Sequence, residues 1–322
     1  MKPRCRIAWP FLVAALLSPS FVTAQAYPAK PVRVVVVTPP GLTPDVVARN
    51  VFAKVSELSN NPFPVENRIG KVGTVGAAVV AQSPPDGYTI MVANATLLST
   101  AHVFRKLPYD PLGDFIGITP LAETVGMLVV HPSLPVKAIT ELIVLAKKQP
   151  GELAHGSLSG SMGHLMTALL TSMTGINTPH VPFRGTRAAR NALIAGETQF
   201  LIGSIGSSLV DELKAGRVRP LGVTSAKRVK NFPDIPAISE TIPGYELTSW
   251  IAAFVPAGTP KGIVDRLNAE LKRALADPGV ASKLAAWTVY PTHMTPEQFA
   301  QRLKSDYEKY GRLISNIGLK PE

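Results

Sequence analysis

The chain alternates short apolar runs with stretches patterned as helix. Val32 to Val37 is apolar at every position except Arg33, as befits a strand buried on both faces, and "TPPGLTPD" at 38–45 ends it and opens a helix at once. A strand near Phe63 to Glu66, a helix from Gly73 and "YTIMVA" at 88–93 complete a first series. After "GMLVVHPS" at 126–133 a second series begins, with a helix near Ala138 to Lys148, the turn "PGEL" and a helix from Met162 to Thr174. It continues through an extended stretch at 178–183, a helix from Arg187 to Ala195, "QFLIGS" and "VRPLGVTS". Strands alternating with helices imply parallel sheets covered on both faces. "TSWIAAFVPAGTP" at 248–260 then reads as an apolar strand followed by two terminal helices, roughly Pro260 to Ala276 and Pro296 to Asn316. Those helices need a sheet to cover, and a return to the first series supplies one. The pattern therefore predicts an α/β protein of two lobes around a cleft. Residues 27–126 begin lobe 1, 127–249 form lobe 2, and 250–322 return to lobe 1, with "GMLVVHPS" and "SWIAAFVPAG" as two crossing strands that form the hinge.

The turns between strand and helix carry the candidate chemistry. In "PPGLTPD" Thr43 is placed as a helix N-cap, Pro44 takes the first helical position, where a missing N–H costs nothing, and Asp45 lies in the first turn. Gly41 allows the sharp exit from the strand. First-turn N–H groups lack intrahelical partners and point out of the carboxyl edge of a parallel sheet, which is where open α/β folds bind ligands and where anions are favoured. Thr-Pro also opens helices at Thr259 and Thr295, so the pair alone marks no site. A matching turn in the second series gives the first its weight. That turn lies within "HGSLSGSMGHLMTALLTSMTG" at 155–175, where Gly156, Gly160 and Gly163 loosen the backbone, Ser157, Ser159 and Ser161 supply hydroxyls, and Ser161 is a reasonable N-cap. A third, in "VPFRGTRAARNALIAG", offers Gly185 and then Thr186 as cap, with Gly196 as C-terminal stop. Arg184 sits in that turn within reach of a carboxylate, whereas Arg187 and Arg190 share a helix face toward solvent. Two lobes that each present helix N-termini to one cleft make a carboxylate clamp.

Charge and the chain's start say where such a clamp works. Residues 1–26 carry Lys2, Arg4 and Arg6, an apolar stretch from Ile7 to Val22, and Ala24 and Ala26 in an A-x-A arrangement, the pattern of a cleavable secretory signal. Pro10, Ser18, Pro19 and Ser20 interrupt the apolar core, which falls short of the roughly 20 residues that span a bilayer. Cleavage removes Cys5, the sole cysteine, so the exported protein has no disulfide and depends on its core. The formal charge of +11, less three lysines and arginines in the signal, leaves +8 on the mature chain. Those charges are scattered, without the basic blocks or interleaved aromatics that bind nucleic acid, and a diffuse positive field suits the capture of small anions.

Enzyme signatures fail one by one. "GSLSG" at 156–160 has Leu158 where a nucleophile elbow needs serine, "GKVGTVG" at 70–76 is no dinucleotide fingerprint, and no phosphate-binding G-x-x-x-x-G-K-[ST] occurs. The histidines at 102, 131, 155, 164, 180 and 293 show no i, i+4 pair and no cysteine partner. No catalytic residue, cofactor or metal ligand is expected, and His164 is most simply a hydrogen-bonded residue of the helix start.

A family resemblance rests on "YPAKPVRVVV" at 27–36, "PPG" and Asp45 within 39–45, "VENRIG" at 65–70, "PDGYT" at 85–89, "LPYDP" at 107–111 and "HPSLP" at 131–135. It continues through "HVPFRG" at 180–185, "LGVTSAKR" at 221–228, "PGYE" at 243–246 and "PAGTP" at 256–260. From Tyr27 onward the chain resembles the Bug-type extracytoplasmic solute receptors of tripartite tricarboxylate transporters. That resemblance implies the two-lobed type II periplasmic binding protein fold, a Venus flytrap that closes on an organic acid held by backbone N–H groups and ordered water. By position it implies ligand contacts at Gly41, Leu42, Thr43 and Asp45, at Asn94, Ala95 and Thr96, at Ser157, Ser159, Gly160, Ser161, Met162 and His164, and at Arg184, Gly185 and Thr186. It further implies a periplasmic monomer, not embedded in the membrane after cleavage, that delivers its acid to membrane permease subunits.

The chain departs from its relatives where the ligand is chosen. Leu42 replaces the usual second glycine, Pro44 a small hydroxyl residue and Leu158 another glycine, while Ile69 and Val72 stand for a customary proline and glycine. Leu42, Leu158 and Met162 either narrow the pocket around an apolar ring or alkyl body, or pack behind the loop; both readings stand. Two other functions are kept beside transport: a ligand-sensing receptor feeding a signalling partner, and a secreted hydrolase that uses Ser157 or Ser161.

Overall fold

The computed structural model describes residues 27–316, 318 and 319. The expected export signal, and Cys5 with it, lie outside the described residues. The chain opens with β1 (Arg33–Val36), α1 (Thr43–Ser59), β2 (Val65–Asn67), α2 (Thr74–Ala81), β3 (Thr89–Asn94), α3 (Thr96–Val103) and β4 (Phe115–Thr124). Next come β5 (Gly126–Val130), α4 (Ile139–Lys148), β6 (His155–Ser157), α5 (Met162–Thr174), β7 (His180–Pro182), α6 (Thr186–Ile194), β8 (Phe200–Ser204), α7 (Ser207–Lys214) and β9 (Arg219–Val223). It closes with β10 (Ser249–Pro256), α8 (Lys261–Leu275), α9 (Pro278–Ala285), β11 (Val289–Pro291) and α10 (Pro296–Asn316).

Two sheets organise these elements, one of order β11-β4-β10-β3-β1-β2 and one of order β7-β6-β8-β5-β9. With β11 set aside, both follow one plan. A parallel trio (β2-β1-β3, β7-β6-β8) is followed by an antiparallel strand (β10, β5) and then by a strand that pairs antiparallel with it (β4, β9). The antiparallel member is in each case the first strand after the chain changes sheet. One change occurs at buried Val125, between β4 and β5, and the return runs through residues 224–248 into β10. "GMLVVHPS" and "SWIAAFVPAG" are thus the strands that each sheet receives, and the first change of sheet falls one residue ahead of "GMLVVHPS".

Alternation along the strands builds the core on both faces. In β1, Val35 packs into one cluster with Met91, Trp250 and Phe254, while Val34 and Val36 join Phe52, Ile90 and Leu267 under α1 and α8. In β5, Leu128 continues the first cluster, while Met127 and Val129 enter a third with Leu193, Leu201 and Val223. The first cluster therefore runs from one lobe into the other. Tyr245 in the return segment is fully buried and donates its hydroxyl to Met166 O at 2.8 Å, tying that segment to α5.

Several elements escaped the sequence pattern. α3 and α7 are eight residues each, too short for a helical period to declare itself, and α9 and β11 lie between the two expected terminal helices, which appear as α8 and α10. Two helix starts shift by one residue. Leu42, not Thr43, holds the cap position of α1 with extended backbone, and Gly185, not Thr186, precedes α6. Neither cap position supplies a side-chain acceptor. At α1 the bond within the turn comes instead from Asp45, whose Oδ2 accepts the Gly41 N–H at 2.9 Å.

Candidate ligand site

A cavity of about 400 Å³ lies between the two sheets. Its first-lobe wall follows the carboxyl ends of β1 and β3: Val37, Thr38 and Pro39, then Leu42, and Asn94 with Thr96. The second-lobe wall follows β6 and β8, with Gly156 to Leu158, Ser161 to Gly163 and Leu201 to Ser204, and is completed by Arg184 to Thr186 at the start of α6. The starts of α1, α3, α5 and α6 therefore meet around one space, but only α5 and α6 bring it first-turn amides without a helical partner, since the Leu42 N–H is bonded to Pro39 O and the Thr96 N–H to Asn94 Oδ1. α5 comes so close to β8 that a Cβ on Gly163 would stand 2.5 Å from Ile202 O. Ser161 caps α5 as expected, its Oγ accepting the His164 N–H at 3.3 Å, which leaves the amides of Met162 and Gly163 at the wall.

The charge of the lining is one-sided. Among the described residues, Lys71 and Arg184 contribute to it and no aspartate or glutamate does. Thr38 Oγ1 is buried without a hydrogen-bond partner at the same wall. A buried hydroxyl left unpaired is costly, so a polar group is favoured opposite it. An apolar share comes from Val37, Leu42, Ile69, Val72, Leu158, Met162, Ala189, Leu201 and Ile202, beside the uncharged polar Asn94, Thr96, Ser157, Ser161, Thr186 and Ser204. Leu42 and Leu158 thus belong to the wall, whereas Met162 reaches it from the start of α5 while packing in the core cluster. Pro44 is buried in α1, away from it.

The sequence-predicted contacts divide into two groups. Leu42, Asn94, Thr96, Ser157, Ser161, Met162, Arg184, Gly185 and Thr186 line the cavity. Gly41, Thr43, Asp45, Ala95, Ser159, Gly160 and His164 do not. Asp45 is turned into its own lobe: its carboxylate accepts from Gly41 N, from Arg49 Nε at 3.0 and 3.1 Å, and from Asn67 Nδ2 at 2.8 Å. Burial alone would raise its pKa, but these bonds outweigh burial and hold it below the usual carboxylate range. Ala95 is fully buried and donates its N–H to Trp250 O. Gly160 joins the lobes, since its carbonyl accepts from Ser99 Oγ of α3 at 2.7 Å.

The loop 69–73 was missed as a contact region. Ile69, Gly70, Lys71, Val72 and Gly73 all line the cavity and lead into α2. Lys71 and Val72 adopt positive φ, 40° and 62°, and for a β-branched residue that is a strained conformation. The available signal was the departure at Ile69 and Val72 from the family pattern.

His164 lies behind the second-lobe wall. Its Nδ1 accepts the Gly160 N–H at 3.1 Å and its ring stacks on His180, with centroids 3.9 Å apart. His180 Nε2 meets Ser157 Oγ at 2.8 Å. His155 completes a group that the spacing in sequence gave no reason to expect: β6 pairs with β7 so that His155 stands directly across from His180. Burial pushes His155 down to about 3 and His164 to about 4, and the neighbouring imidazoles add to the effect; His180 is lowered by burial as well. All three rings are neutral near pH 7.

Residues 47–319 match the model of the tripartite tricarboxylate transporter family receptor. The chain belongs to this family. BugT of Bordetella pertussis is 29% identical to the receptor over 303 residues, 93% of each chain. Rpa4515 of R. palustris, solved with adipate, is 33% identical with a TM-score of 0.84, covering 92% of the receptor and 100% of that chain. MatC of Rhodopseudomonas palustris, solved with bound malate, is 28% identical with a TM-score of 0.78, covering 89% and 100%. The two-lobed α/β architecture is that of periplasmic binding proteins, and the family consists of solute-binding receptors, not enzymes. No helix among the described residues of the receptor is long and apolar enough to cross a membrane.

Proposed function

We propose that this receptor captures a small organic acid with an apolar body and passes it to the permease subunits of a tripartite tricarboxylate-type transporter. The observation that carries the reading is the lining of the interlobe cavity. The free first-turn amides of α5 and α6 converge there with Lys71, Arg184 and the unpaired Thr38 hydroxyl, no carboxylate among the described residues opposes them, and leucine, isoleucine, valine and methionine share the rest of the wall with serine, threonine and asparagine. Helix N-termini and a cationic side chain favour a carboxylate, and the apolar wall favours a hydrocarbon body. Adipate and malate in two related receptors support the ligand class. Residues 1–26 act in this reading as a cleaved export signal, and the mature receptor works in the periplasm as a monomer that closes about Val125 and the 224–248 segment.

The test is native mass spectrometry of freshly purified, untagged mature protein for a co-purified acid, followed by thermal-shift screening of mono- and dicarboxylates. An acid at about 100 times its dissociation constant adds roughly 2.7 kcal/mol of stability. Stabilisation by neutral or cationic solutes, with none from any carboxylate, would falsify the reading.

A further inference from the structure

The three histidines behind the second-lobe wall form an arrangement that acid binding does not use. One ring nitrogen of each of His155, His164 and His180 lies within 4.8 Å of those of the other two. A second cavity, of about 620 Å³, opens onto all three rings, with Thr171, Asn177 and Thr178 on its walls. We propose that His155, His164 and His180 bind a divalent cation of the zinc and copper(II) class through three imidazoles, with a fourth position open to this cavity.

Ligand chemistry selects the ion. Three neutral imidazoles without a carboxylate suit zinc or copper(II) and offer nothing to magnesium or calcium, which require oxygen. Among the described residues, no lysine or arginine lines the second cavity to compete with a cation. Outer partners fix two of the rings. His155 Nδ1 lies 3.3 Å from Thr178 Oγ1 and His180 Nε2 lies 2.8 Å from Ser157 Oγ, so the other nitrogen of each ring is left for the metal. Metal–nitrogen bonds of roughly 2.0–2.1 Å bring ligand nitrogens to about 3.3 Å apart in a tetrahedral site. Side-chain rotation that draws the rings together by up to about 1.5 Å meets this requirement.

His164 makes the site consequential for the wall in front of it. A neutral imidazole has one lone pair, and in His164 that pair accepts the Gly160 N–H. Coordination takes the pair, and the Gly160 amide loses its acceptor. The Gly160 carbonyl is the group that holds Ser99 of the other lobe, so metal loading loosens a junction between the lobes.

Untagged protein stripped with a chelator and titrated with zinc by calorimetry tests the proposal. One equivalent of zinc is expected, with affinity lowered tenfold or more by His155→Asn and, separately, by His180→Gln, and unchanged by His131→Asn. The copper(II)-loaded wild-type protein should show three nitrogen ligands by electron paramagnetic resonance, a readout that does not depend on any variant folding. Absence of a stoichiometric zinc site in the wild type, wild-type affinity in both cluster variants, or a copper spectrum without three nitrogens would overturn it. Hydrogen exchange at the Gly160 amide should quicken on zinc loading, and unchanged exchange there would remove the link to the lobe junction.

Discussion

Gly160→Ala probes the contact between the lobes most directly. Gly160 sits at φ +71°, and a Cβ there would stand 2.4 Å from Cγ2 of Val103, which is buried in α3 of the other lobe. Two costs follow. The left-handed conformation charges an L-residue about 1–2 kcal/mol, and forcing a methyl into a packed site about 1–3 kcal/mol. The single variant is therefore expected to lose roughly 2–5 kcal/mol in urea denaturation. Val103→Ala removes about two methylene equivalents and should cost about 1.6 kcal/mol by itself. In the double variant the methyl introduced by Gly160→Ala occupies space that Val103 has given up, so the steric share disappears while the backbone share stays. A coupling energy of about 1–3 kcal/mol should result, far above the roughly 0.3–0.5 kcal/mol scatter of independent sites. Strict additivity of the two single losses would mean that Gly160 and Val103 do not meet in solution, and that the cavity is not closed at this point.

Other expectations are simpler to state. Asp45→Asn should destabilise by roughly 1–3 kcal/mol at pH 7, because a buried acceptor with three donors is replaced by a group that can satisfy fewer of them. The folded pKa of Asp45 is depressed, so its contribution is present above the unfolded value of about 3.9 and fades as pH falls through the folded value. The gap between wild type and variant should accordingly shrink below about pH 4 in pH-dependent urea titrations, and a gap constant down to about pH 2 would contradict this account. Val72→Gly relieves a positive φ of 62° and should raise the urea midpoint by an amount worth up to about 1 kcal/mol, after allowance for glycine's greater unfolded freedom. A loss of stability would show that the 69–73 loop is not strained. Arg184→Gln should weaken the acid that gives the largest thermal shift by about tenfold, or about 1.4 kcal/mol, with a smaller effect at high salt because the side chain is exposed; calorimetry at two ionic strengths decides it.

Strand runs such as Val32 to Val37 and "YTIMVA" were legible because a strand buried on both faces leaves no polar alternation to confuse, and here it was bounded by proline and glycine. The cap at Ser161 was legible because a side-chain acceptor followed by an apolar helix is a local signal, complete within one helical turn. The starts of α1 and α6 were misplaced by one residue for the complementary reason: no side chain caps either helix, so the backbone alone sets the start. Asp45 was legible as a first-turn acid but not as a residue engaged with its own lobe. That depends on Asn67 and Arg49, one of which arrives from a neighbouring strand.

Local periodicity and turn chemistry by themselves determined the α/β class, the two series of strands and the existence of facing helix starts, since each depends on residues within a few positions of one another. Tertiary structure alone decided which residues share a surface. The 69–73 loop reaches the cavity because α2 begins beside β1, and His155 meets His180 because two strands pair in a given register. Contacts between residues distant in the chain are set by how sheets and helices pack, and no spacing along the sequence records that.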